Sequence, residues 1–175
     1  MLPILQLIVD TVASVLGGVL LLRFWMQAIR VRPPASVAQF TFTLTDWLVK
    51  PLRRIVPGAG GYDWASLIGA FLVVLLATSL LFIVGASVEQ VLLVALARFV
   101  KWIIYGFIAL LIIEAIFSWV NPHAPLAPFV HALNDPLLRP IRRVVPPIGG
   151  LDLSVLVAVL LLQIALYVLR TVVPV

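Results

Sequence analysis

His123 and His131 are the residues best suited to hold a metal in this chain, and their surroundings argue against it. They stand eight residues apart with Pro125 and Pro128 between them, and no third ligand lies nearby. A zinc site needs at least three protein ligands, so a structural or interfacial role is expected, with no metal and no other cofactor. Nucleophilic chemistry has no better foothold. Ser14, Ser36, Ser66, Ser79, Ser87, Ser118 and Ser154 have no neighbouring base in a pattern that would activate a hydroxyl. There is no cysteine, which removes thiolate catalysis, disulfides and thiol-linked haem. Gly60-Gly61 and Gly149-Gly150 lack the Lys-Ser/Thr that follows in a phosphate-binding P-loop. No catalytic residue is expected, and the chain reads as a non-enzyme.

What remains is a doubled set of cations. Asp46 to Asp63 reads DWLVKPLRRIVPGAGGYD, and Asp135 to Asp152 reads DPLLRPIRRVVPPIGGLD. Lys50-Pro51 answers Arg139-Pro140, Arg53-Arg54 answers Arg142-Arg143, Pro57 answers Pro146, and the Gly-Gly pairs match, all at an offset of 89 residues. Such a register marks a tandem duplication. The expected halves are residues 1–87 and 88–175. Arginine forks grip phosphate and carboxylate in bidentate fashion. Lys50, Arg53, Arg54, Arg139, Arg142 and Arg143 therefore carry two open readings. They either fix membrane topology alone, or make a paired site for anionic lipid or an acidic partner.

The elements that position these cations are membrane helices. The chain is 63% hydrophobic and 11% charged, with a mean hydropathy of +1.21. Soluble domains are nearer 45–50% apolar and about 25% charged. The net charge of +5 is thus no direct sign of nucleic acid and is read as membrane orientation. Four spans are expected over 4–29, 64–84, 102–120 and 151–173, each long enough to cross a hydrocarbon core of roughly 30 Å. Residues 88–101 either lie at the interface or extend the third span. No positive segment precedes the first apolar run, so a cleaved signal peptide is not expected. Between the spans of each half, apolar residues at helical spacing predict surface helices over 36–50 and 126–134. The fold class is all-α: a polytopic membrane protein with four transmembrane helices in two parallel tandem hairpins. The basic connections place both long loops in the cytoplasm and both termini outside.

Single residues refine this frame. Asp63 and Asp152 stand where helix N-caps belong. Asp46 and Asp135 precede basic residues and suit local ion pairing. Ala13, Ser14, Gly17 and Gly18 give the small-residue spacing that lets another helix approach closely. Arg23 and Glu114 lie at nearly equal depth in the first and third spans, where an unpaired charge costs several kcal/mol. Either they pair with one another across those helices, or Arg23 snorkels to the headgroups.

The repeated PLRR-x-x-P…GG-x-D phrase, with LLLRFWMQ closing the first span and FSW the third, resembles the YggT family of small bacterial integral membrane proteins. The resemblance covers two units in tandem. The copies differ where Pro136 and Pro147 replace Trp47 and Gly58, and the second connection is three residues shorter. It implies a multi-pass protein of the bacterial inner membrane. Family members are associated with osmotic-stress tolerance, with division and nucleoid distribution, and in plastids with maturation of a membrane cytochrome. The expected function is a non-enzymatic scaffold or assembly and maturation factor. Its expected partners are anionic lipids, membrane proteins or a second copy of the chain, with no nucleic acid. The alternative is a small channel or transporter, for which polar span residues are few: Asp10, Arg23, Thr78, Ser79, Glu114 and Gln163.

Overall fold

The computed structural model describes residues 2–145 and 152–173. Among them are six α-helices: α1 (Leu2–Ala28), α2 (Ala35–Ile55), α3 (Trp64–Thr78), α4 (Val88–Val120), α5 (Ala127–Arg142) and α6 (Ser154–Val172). A short 3-10 turn, Ser79–Val84, extends α3. No strand occurs among the described residues, and four segments are long and apolar enough to cross a membrane: Ile4–Ala28, Trp64–Ile83, Val88–Val120 and Ser154–Val172. The chain is an all-α, multi-pass membrane protein. The sequence Pro146-Pro147 and the second Gly-Gly pair fall outside the described residues.

The third span and the surface helices run beyond their expected limits. Of the two readings of 88–101, extension of the third span holds, because α4 runs unbroken for 33 residues. At about 1.5 Å per residue that is roughly 50 Å, well beyond one bilayer core. A full capping box at Ser87 and Gln90 fixes its start. The surface helices also continue past the expected 50 and 134, so the basic residues sit on the last turns of α2 and α5 rather than in turns. Pro51, Pro136 and Pro140 lie inside these helices. Each gives up one backbone hydrogen bond, and each is exposed.

The same face of both surface helices is buried. Thr41, Thr45 and Val49 of α2 are buried, and so are Val130, Asn134 and Leu138 of α5, the residues 89 positions later. Small residues bring α1 and α3 together: Ala13, Ala65, Ala70 and Ala77 pack around Leu20 and Val73, with Val49 closing the cluster. In the second half Leu111, Leu138 and Ala158 make the corresponding core from α4, α5 and α6.

The halves meet along α1 and α4, which run in the same direction, and along α3 and α4, where Phe71 meets Phe99 edge to face at 5.5 Å. Asp10 pairs with Arg98 near one end, and Arg98 also reaches Thr78 Oγ1 at 3.4 Å. In the middle, Gly17 faces the Trp102 ring so closely that a Cβ would lie 2.1 Å from Cζ3. At the other end Trp25 meets Phe107 edge to face at 5.1 Å, and its Nε1 donates to the Leu133 carbonyl at 2.9 Å. The expected close approach of another helix is thus made by Ala13 and Gly17 within the chain, while Ser14 and Gly18 stay exposed.

One turn carries strain. The end of α1 is closed by Arg30 N–H to Gln27 O at 3.1 Å and Val31 N–H to Met26 O at 3.0 Å. This closure puts Arg30 in the left-handed region at φ 58°, a place usually given to glycine. A side chain there costs roughly 1–2 kcal/mol.

Candidate functional site

Two charge clusters lie at the shared end of α1 and α4, one in each half. The first is centred on Arg23, only 5% exposed near the end of α1. Its Nη1 donates to Thr45 Oγ1 at 2.6 Å and to Asp46 Oδ1 at 2.7 Å. Its Nε lies 3.5 Å from Asp63 Oδ2 without a hydrogen bond. The guanidinium also sits over the Phe42 ring, 4.8 Å from the centroid, a favourable face for a cation. Thr45 can accept from Arg23 because its own hydroxyl proton goes to the Thr41 carbonyl at 2.7 Å.

Asp63 is 2% exposed and heavily satisfied. It accepts Arg53 Nε at 3.2 Å and Nη2 at 2.6 Å, Ser66 Oγ at 2.6 Å and the Ser66 N–H at 3.3 Å. It is the N-cap of α3, as its position in the sequence implied. Burial raises its carboxyl, but the hydrogen bonds from Arg53 and Ser66 outweigh this and hold it below the usual carboxylate range. The same bond to Asp63 raises Arg53 further above its ordinary value. Asp46 is lowered by hydrogen bonds from Lys50 and Arg23.

The second cluster has the opposite charge at its centre. Glu114 of α4 holds His131 Nδ1 at 2.8 Å on Oε1, with Arg142 Nη2 at 3.5 Å. Arg142 also bonds Asp152 through Nε at 2.8 Å and Nη2 at 2.7 Å, and approaches Asp135 at 3.8 Å. Asp152 accepts the Ser154 N–H at 3.0 Å. Burial raises its carboxyl, while Ser154 and Arg142 bring it below its ordinary value. Asp152 is not the N-cap in position: α6 starts after Leu153, so the aspartate caps from one residue further out.

The expected Arg23–Glu114 pair does not form. Each finds its counter-charge on the surface helix of its own half, Arg23 on Asp46 and Glu114 on Arg142, with His131 Nδ1 in hydrogen-bond contact with Glu114. Nor does Arg23 snorkel, since it is buried. The reason is the position of α2 and α5, which lie against the ends of α1 and α4 and bring polar side chains under the deep charges. Thr45, Asp46, Phe42 and His131 were not identified as partners from the sequence. The recurrence of Thr45 and Asn134, and of Asp46 and Asp135, at the 89-residue offset was the available signal.

The six repeated cations divide by role. Arg53 and Arg142 point inward to the aspartates that start α3 and precede α6. Lys50 pairs with Asp46 and Arg139 with Asp135, one turn apart, yet their side chains are 73% and 72% exposed. Arg54 and Arg143 are exposed, and their side chains make no hydrogen bond or ion pair with a described residue. Exposed Trp47, Ile55 and Val144 lie beside them. No group of three metal-ligating side chains occurs among the described residues.

A family model described as CCB3/YggT matches residues 1–84 and 93–173. The uncharacterized protein YggT of Escherichia coli strain K12 is 35% identical over 161 residues, covering 91% of this chain and 86% of that protein. An uncharacterized protein of Pseudomonas aeruginosa is 37% identical over 164 residues, covering 90% and 83%. One of Vibrio alginolyticus is 33% identical over 167 residues, covering 92% and 90%. No solved structure matches. With its repeated basic helix ends and four apolar spans, the chain belongs to the CCB3/YggT family.

Proposed function

We propose that this protein is a non-enzymatic scaffold or assembly and maturation factor of the bacterial inner membrane. It holds anionic lipid headgroups and membrane partners at the basic ends of α2 and α5, which face the cytoplasm, with both termini outside. The observation that carries this reading is the division of each arginine pair. Arg53 and Arg142 are consumed by internal aspartates, while Arg54 and Arg143 face outward beside exposed apolar residues. Topology alone needs positive charge, but it does not need two outward arginines at matching places on amphipathic helices. Each cation near an anionic surface gains on the order of 1 kcal/mol.

The polar residues of the spans favour this over a channel. Asp10 is committed to Arg98 near one end, and Arg23 and Glu114 to the surface helices at the other. Between them Leu20, Gly17 and Trp102 pack with apolar neighbours. The test uses spin-labelled phosphatidylglycerol and phosphatidylcholine with the protein reconstituted in mixed bilayers. Wild type should prefer the anionic label, and Arg54→Gln/Arg143→Gln should lose most of that preference. Equal preference in both proteins would overturn the reading.

A further inference from the structure

We propose that the pocket between the end of α1 and α2 binds a phosphate group, and that the corresponding pocket of the second half does not. The first cavity is about 590 Å³ and opens between α1, the α1–α2 connection and α2. Arg23, Arg30, Arg32, Lys50 and Arg53 line it, against one lining carboxylate, Asp46. Two of these guanidinium groups have unspent capacity: the side chains of Arg30 and Arg32 make no hydrogen bond or ion pair with a described residue. Arg23, 5% exposed, adds its charge at the pocket wall, with its Nε 3.5 Å from Asp63 Oδ2. Five cations against one lining carboxylate leave the cavity an excess of positive charge, and its open guanidinium groups call for an anionic acceptor. Planar guanidinium forks match phosphate oxygens in geometry and charge.

The backbone supports the same assignment. Arg30 is the one described non-glycine residue with positive φ. Glycine would relieve that strain, yet an arginine stands there. Its Nη2 comes 3.9 Å from where a Cβ of Gly61 would be, which is van der Waals distance, so the guanidinium lies on the Gly61 side of the pocket wall.

The second half offers the contrast. Its cavity, about 750 Å³, is lined by Glu114, Asp152, His131 and Arg142. That is two carboxylates to one arginine. The α4–α5 connection, residues 121–126, has no lysine or arginine in place of Arg30 and Arg32. The duplicated scaffold therefore carries one anion-selective pocket.

The phosphate has two sources, a lipid headgroup or a soluble phosphate ester. Only in the lipid source does the inference rest on the proposed lipid-contacting function. The experiment compares the full chain in detergent as wild type, Arg30→Gly/Arg32→Gln and Arg54→Gln/Arg143→Gln. Arg30→Gly keeps the left-handed backbone and so preserves the fold. Binding of phosphatidylglycerol is read by native mass spectrometry, and of inorganic phosphate and glycerol 3-phosphate by calorimetry. The expected result is one saturable site, weakened about tenfold or more in Arg30→Gly/Arg32→Gln, a variant whose melting temperature stays at or above wild type. Binding of lipid alone assigns a headgroup, and competition by glycerol 3-phosphate assigns a soluble ester. Wild-type affinity for every probe in Arg30→Gly/Arg32→Gln overturns the pocket. If Arg54→Gln/Arg143→Gln alone then loses lipid, the lipid-contacting function survives that failure.

Discussion

Arg53 closes a two-pronged pair on Asp63, Nε to Oδ1 at 3.2 Å and Nη2 to Oδ2 at 2.6 Å. Arg142 reaches Asp152, likewise ten residues further on, with Nε and Nη2 both on the one oxygen Oδ2, at 2.8 and 2.7 Å. In each half an arginine from the end of a surface helix is therefore tied to the start of the next span. The arginine beside it is left to face outward.

Arg23 and Glu114 sit at similar depth but belong to separate networks. A double-mutant cycle of Arg23→Leu with Asp46→Leu should show a coupling of about 1–3 kcal/mol in detergent unfolding. Arg23→Leu with Glu114→Leu should be additive within about 0.5 kcal/mol. Coupling in the second pair equal to the first would contradict these assignments.

Acid should loosen the shared end of the bundle. The carboxyls of Asp46, Asp63 and Asp152 are held below their ordinary values in the fold. Their stabilisation is thus complete above the unfolded value of about 4 and is lost as pH falls through the folded values. Melting temperature should be flat from neutral pH to about 5 and drop below about 4. Asp63→Asn should melt lower at neutral pH and show a shallower acid drop. An acid profile identical to wild type in that variant would count against the network.

Helix contact between the halves rests on Gly17. Gly17→Ala puts a methyl on the Trp102 ring and should cost about 1–3 kcal/mol, the usual range for overpacking. Gly18→Ala has nothing within 4 Å of the new carbon and should be neutral or stabilise by up to about 1 kcal/mol. Thermal unfolding of the two variants checks this, and equal melting temperatures would remove the close α1–α4 contact.

Orientation follows from the same basic ends. Reporters fused after Val175 and inserted between residues 58 and 61 should report opposite compartments, with the insertion cytoplasmic. Both on one side would refute the arrangement.

The spans were readable because about twenty apolar residues in a row have few other uses, and the surface helices because their apolar residues recur at helical spacing. Asp63 as a cap and the one-turn pairs Asp46–Lys50 and Asp135–Arg139 are local, so spacing alone revealed them. The partners of Arg23 and Glu114 are not local. They depend on how α2 and α5 tuck against α1 and α4, which no single helix encodes. Arg30 was invisible for a related reason: its left-handed backbone and pocket position arise from the closure of α1. The proposed division of Arg53 from Arg54 likewise needed the bend that brings Asp63 back toward α2.

That division is tested most directly by measuring stability and lipid preference together in two paired variants. Arg53→Gln/Arg142→Gln should lower the melting temperature markedly, because Asp63 and Asp152 lose their guanidinium partners, while the folded fraction keeps its preference for phosphatidylglycerol. Arg54→Gln/Arg143→Gln should melt like wild type and lose that preference. The same outcome for both variants, in either quantity, would contradict the account.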